Sequence, residues 1–128
     1  MKTKMTCEVL LVSALALGST AFGVEMPRAI NSQKDLKIAL KAAKSPDDHT
    51  RIAAYYKAQA ETKDSQAAGY EQAAASYRGG PVVKNLMAPN TVARYDAIAK
   101  GFRQEAQSDR QLAESQEQMA RTTEVASK

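Results

Sequence analysis

Apolar and polar residues follow a helical rhythm along most of this chain. Between Gln33 and about Lys44, Leu36, Ala39, Leu40 and Ala43 recur three or four apart, which predicts a short helix (33–44) capped by Ser32. Ser45-Pro46-Asp47-Asp48 sets a second start: a capping hydroxyl, a proline at the first helical position, and two carboxylates where the helix dipole favours negative charge. From there only Gly69 interrupts the pattern before Gly79-Gly80-Pro81, so a helix is expected over 46–78, about 50 Å long at 1.5 Å per residue. A third helix is expected over 90–123, starting near Pro89 or Asn90 and weakened only at Gly101, with 124–128 a frayed C-terminus.

The alanines decide how the long helices meet. Ala53, Ala60, Ala67 and Ala74 stand seven apart, as do Ala99, Ala106, Ala113 and Ala120. The companion positions hold Tyr56, Lys63, Tyr70 and Tyr77 in one helix and Tyr95, Phe102, Asp109 and Gln116 in the other. Small residues let two backbones approach closely while the larger companions fill the space beside them. A connection from Gly79 to Ala88 lets the helices run antiparallel. The expected fold is therefore all-α: a long antiparallel helical hairpin with a coiled-coil-like alanine seam, preceded by a short helix. A symmetric fold-back puts residue i opposite roughly 168 minus i. That register places Tyr70 by Ile98, Ala67 by Gly101, Lys63 by Glu105 and Tyr56 by Leu112. Ile98, Leu112 and Met119 flank the second seam and widen its apolar face toward the short helix or another copy of the chain.

The first 23 residues read differently. Lys2 and Lys4 form a basic start, Val9 to Leu17 is apolar, and Ala21-Phe22-Gly23 offers the small residues a signal peptidase reads. The apolar run is shorter than the roughly 20 residues needed to span a bilayer. The expectation is a signal peptide over 1–23, cleaved after Gly23 or after Ala21, then a linker over 24–31 and a helical domain over 32–123. The product is exported, to the periplasm or beyond. Cys7 lies ahead of the apolar run, unlike a lipoprotein cysteine, so the processed chain has no cysteine and no disulfide to stabilise it.

Composition narrows the functions. Hydrophobic residues make up 44% of the chain, but alanine dominates them, aromatics are only 5% and tryptophan is absent, so a broad core is not expected. The net charge of +4 falls to about +3 once Lys2, Lys4 and Glu8 are removed, too mild a balance to indicate nucleic acid. Nucleophilic catalysis has neither a cysteine in the processed chain nor a Gly-x-Ser-x-Gly turn, and Gly79-Gly80-Pro81 ends a helix where a phosphate loop must lead into one. Glu61, Glu71, Glu105 and Glu114 read as solvating residues on long helices. No cofactor is implied.

Three features are candidates for interaction. Lys34, Lys37, Lys41 and Lys44 line up on the short helix and suit anionic headgroups or an acidic polymer; a helix of about three turns without an aromatic anchor favours a solvated face instead. His49, the only histidine, is the sole metal candidate, and in the proposed register only Met119 comes near it, short of a usual ligand set. The tyrosines all lie between His49 and the loop side of the hairpin; most fill the seam, whereas Tyr55 points off it toward a partner.

Asp48-His49 to Tyr55-Tyr56, Tyr70-Glu71 to Tyr77-Arg78, and Leu112-Ala113 to Met119-Ala120 together resemble a set of small, uncharacterised exported bacterial proteins with two long helices. The resemblance spans about residues 45–120. It implies the two-helix architecture and no assigned activity. Such proteins often carry further histidines at the places of Tyr70, Asn90 and Gln116, and sometimes a cysteine at that of Thr91; this chain departs at each.

The expected function is a noncatalytic interaction or structural role in the cell envelope, with self-association into a four-helix bundle or another envelope protein as partner. The alternatives are a small ligand- or metal-binding protein centred on His49 and an envelope-surface binder acting through the lysines.

Overall fold

The computed structural model describes residues 24–79 and 88–128. The expected signal peptide and most of the interhelical connection lie outside these residues. Three helices make up the described chain: α1 (Gln33–Ala42), α2 (Pro46–Gly79) and α3 (Ala88–Ala126). α2 and α3 pack against each other extensively as an antiparallel hairpin, and α1 rests on α2 near its start. No helix among the described residues is long and apolar enough to cross a membrane.

The starts of α1 and α2 use the same chemistry. The Ser32 hydroxyl accepts from the Asp35 backbone N–H at 3.1 Å and donates to the Asp35 carboxylate at 2.8 Å. The Ser45 hydroxyl accepts from the Asp48 N–H at 3.2 Å, while Asp48 Oδ2 accepts from the backbone of Lys44 and Ser45 at 3.1 and 3.0 Å. Each is a reciprocal cap that satisfies otherwise orphaned backbone donors. These bonds hold both carboxyls below the usual carboxylate range: for Asp35 the Ser32 hydroxyl acts most, for Asp48 the Lys44 amide.

The same cap explains why α1 stops at Ala42 rather than Lys44. Ala43 still donates to Ala39 O at 2.8 Å, but its ψ of 123° takes the chain out of the helix. The backbone must unwind there for Lys44 and Ser45 to reach Asp48, and the residue before a proline avoids helical ψ. At the other end, α3 outruns its expected limits. It starts at Ala88 and continues to Ala126, through three of the five residues expected to fray. No glycine or proline intervenes after Gly101, and Lys128 pairs with Glu124 at 3.5 Å on the last turn.

Every alanine of both heptads is buried, from 0% exposure at Ala67, Ala74 and Ala106 to 8% at Ala120. A methyl at these positions brings the helix backbones together. Among the described residues, larger buried apolar groups are confined to the α1 end, where Leu36, Ala39 and Ile52 cluster with Met26, Ile30, Ala43, Tyr55 and Tyr56 around them. Ile52 is fully buried, which contributes about 1.5–3 kcal/mol. Ala42, rather than Leu40, completes the buried face of α1; Leu40 is 44% exposed. Arg51 donates to the carbonyls of Pro27 and Arg28, tying the segment before α1 onto α2.

Candidate interaction surface

One position beyond the large seam residues, α2 carries Lys57, Asp64, Glu71 and Arg78, again seven apart. The matching row of α3 is Asp96, Arg103, Arg110 and Glu117. The two rows join along one edge of the hairpin. Lys57 pairs with Glu117, Asp64 with Arg110, Glu71 with Arg103 and Arg78 with Asp96. Arg103 grips Glu71 with two nitrogens at 3.2 and 2.9 Å and also reaches Asp64 at 2.9 Å. The guanidinium of Arg103 holds both Asp64 and Glu71 below the usual carboxylate range, and Lys57 does the same for Glu117. Arg103 is pushed up in return, chiefly by Glu71.

The order of signs matters more than the strength of these exposed pairs, which are individually weak. Along α2 the row reads plus, minus, minus, plus; along α3 it reads the opposite. A slip of one heptad either way sets two like-charged pairs against one attractive pair, which disfavours the wrong register. Glu71, which by its place on a long helix reads as a solvating residue, is thus a member of this ladder, and the sevenfold spacing of the charges is the signal for it in the sequence.

Inside the seam, Lys63 continues the theme. Its Nζ lies 2.8 Å from Asp109 Oδ2 and 3.3 Å from Glu105 Oε2. Asp109 is 9% exposed, and its approach to Lys63 is a close ion pair rather than an aligned hydrogen bond. Asp109 first, then Glu105, raises the Lys63 ammonium above its ordinary value against the opposing effect of burial. Burial and the nearby Asp109 push the Tyr56 phenol up as well. The pairing of Lys63 with Glu105 is the one expected from the sequence. The Tyr70 ring, expected at the level of Ile98, meets Tyr95 and Phe102, one on each side of Ile98 in the chain, with centroids 5.8 Å away in both cases. A seam side chain inserts between two residues of the facing seam. Tyr77 joins the same ladder through Tyr95 at 5.7 Å.

The second edge carries Ile52, Gln59, Gln66 and Ala73 on α2 and Ile98, Glu105, Leu112 and Met119 on α3. α1 covers only its Ile52 end. Leu112 and Met119 stay 45% and 44% exposed, and Ile98 is half-buried. Toward the loop, Gln66, Gly69, Tyr70, Ala73, Tyr95 and Phe102 line an open groove of about 310 Å³. Tyr56 packs with Tyr55 on the α1 cluster, their rings edge-to-face at 6.0 Å. Tyr55, expected to point off the seam toward a partner, is half-buried against α1, which docks on the side of α2 that Tyr55 occupies.

His49 Nδ1 lies 2.8 Å from Gln116 Oε1, across the hairpin. Gln116 is 9% exposed and sits in the row facing α2, whereas Met119 lies on the flanking row and is 44% exposed. Among the described residues no group of three histidine, cysteine or carboxylate side chains converges. Lys34, Lys37, Lys41 and Lys44 are all exposed. Comparison with protein-family models, curated proteins and solved structures finds no match for this chain.

Proposed function

We propose that this chain is an exported, noncatalytic helical interaction protein of the cell envelope, whose second edge takes a further helix, most simply that of a second copy. The observation that carries this reading is the asymmetry of the hairpin. One edge is closed by its own complementary charges, while the other leaves Ile98, Leu112 and Met119 without cover from α1. The core supports it too: among the described residues ten of the twelve buried apolar side chains are alanine, and such a thin core gains from further apolar burial. Two hairpins joined by these edges make a four-helix bundle, in which facing helices share one core.

The test begins with mass in solution, by light scattering after size exclusion, and with fractionation of expressing cells. A processed chain in the envelope fraction that forms a dimer, lost in Leu112→Glu/Met119→Glu without loss of helicity, bears the reading out. A monomer insensitive to those changes, with no protein captured by a photo-crosslinker at position 115, or a chain that stays unprocessed in the cytoplasm, overturns it.

A further inference from the structure

We infer that α1 is an electrostatic docking face for an anionic lipid surface, with Lys34, Lys37, Lys41 and Lys44 meeting the headgroup phosphates. A free basic helix of this length binds membranes poorly, because it must fold on the surface and insert apolar side chains there. The structure removes the folding cost and leaves the binding to charge. Leu36, Ala39 and Ala42 are already buried, the first two in the cluster around Ile52, and the Ser32 cap holds the first turn. α1 is thus a preformed helix fixed to a longer one by its apolar side. The spacing of Lys34, Lys37 and Lys41 puts them on the side facing away from that cluster, and Lys44 is exposed just past the helix end.

Charge pairing within the hairpin does not reach this row, nor Arg28, Arg94 and Lys100, among the described residues. Lys57, Lys63, Arg78, Arg103 and Arg110 all spend their charge on carboxylates of the hairpin. None of the four α1-side lysines forms a salt bridge among the described residues, so their charge remains available to an outside partner. Only Asp35 faces them from within α1, and its carboxylate is engaged by Ser32 and Asn31. Leu40, 44% exposed, borders the lysine side and supplies a shallow apolar contact. A planar array of phosphates suits a short, rigid row of ammonium groups without demanding the fixed geometry of a single ligand.

The experiment is co-sedimentation of the full chain with phosphatidylcholine vesicles, with and without phosphatidylglycerol, at low and high salt. The apolar stretch contributes alike to every variant, so the preference for the anionic vesicles is the quantity read. It is expected to fall by more than about tenfold when the four lysines become Gln, since each lysine near such a surface adds about fivefold. It should survive when all four become Arg. A second variant, with Arg94, Lys100, Arg121 and Lys128 changed to Gln, removes the same charge elsewhere and should keep most of the preference. Circular dichroism checks that each variant retains its helices. Equal losses in the two Gln variants, no preference for phosphatidylglycerol in wild type, or lysine-dependent binding to heparin without vesicle binding would each overturn the inference.

Discussion

Lys63 and Asp109 face each other inside a seam otherwise built of alanines, aromatic rings and Gln116, Nζ to Oδ2 2.8 Å apart, with Lys63 also in reach of Glu105. An ion pair here adds less to stability than to uniqueness, because only one alignment of the helices matches the two charges. Lys63→Ala leaves Asp109 as a nearly buried charge and is expected to destabilise the fold by about 2 kcal/mol, the partial exposure of Lys63 softening the effect. Lys63→Met/Asp109→Leu should recover most of that loss. Urea unfolding of the three proteins reads this directly; a single variant as stable as wild type would show that the pair does not matter.

The charge ladder predicts rescue by reversal. Asp64→Lys places a cation against Arg103 and Arg110, and should lower the melting temperature. Adding Arg103→Glu and Arg110→Glu should restore the contacts made from position 64. The same change sets a new carboxylate at position 103 against Glu71, so full recovery needs Glu71→Lys as well. Thermal melts at low and high salt separate the cases, because salt weakens exposed charge effects.

Close approach of the helices makes the seam intolerant of bulk. Ala67 is fully buried, whereas its neighbour Ala68 is exposed. Ala67→Leu is expected to cost about 1–3 kcal/mol through overpacking, and Ala68→Leu close to nothing. Equal stability of the two variants, measured by denaturant unfolding, would contradict the close seam.

Alkaline pH should weaken the hairpin from about pH 10. Lys63 and Tyr56 both have folded-state values raised above their ordinary ones. In such a case the unfolded chain gives up its proton first, so the contribution is complete below the unfolded value and is lost as pH rises through the folded one. At the acid end the sign is opposite. Asp48, Asp64, Glu71 and Glu117 are lowered on folding, and their contributions are present above about pH 4 and fade as pH falls through the folded values. Melting temperature against pH should therefore show a plateau with two shoulders, and Lys63→Met/Asp109→Leu should diminish the alkaline one.

The helices and the seam were legible along the chain because they rest on short-range rules. Ser45-Pro46-Asp47-Asp48 caps a helix by itself, and alanines seven apart share a face whatever surrounds them. The level of the fold-back followed from chain continuity alone, as Lys63 beside Glu105 shows. What the sequence reading left open was which flanks of the two helices meet and which stay bare. That depended on α1: by docking on Ile52 and Tyr55 it covered one side of α2 and left Leu112 and Met119 in solvent. The partners of individual side chains, Gln116 for His49 and the two carbonyls for Arg51, were likewise settled only by packing. Periodicity determines the face a residue occupies, whereas contact across helices depends on their rotation and offset, which the whole set of packed side chains decides together.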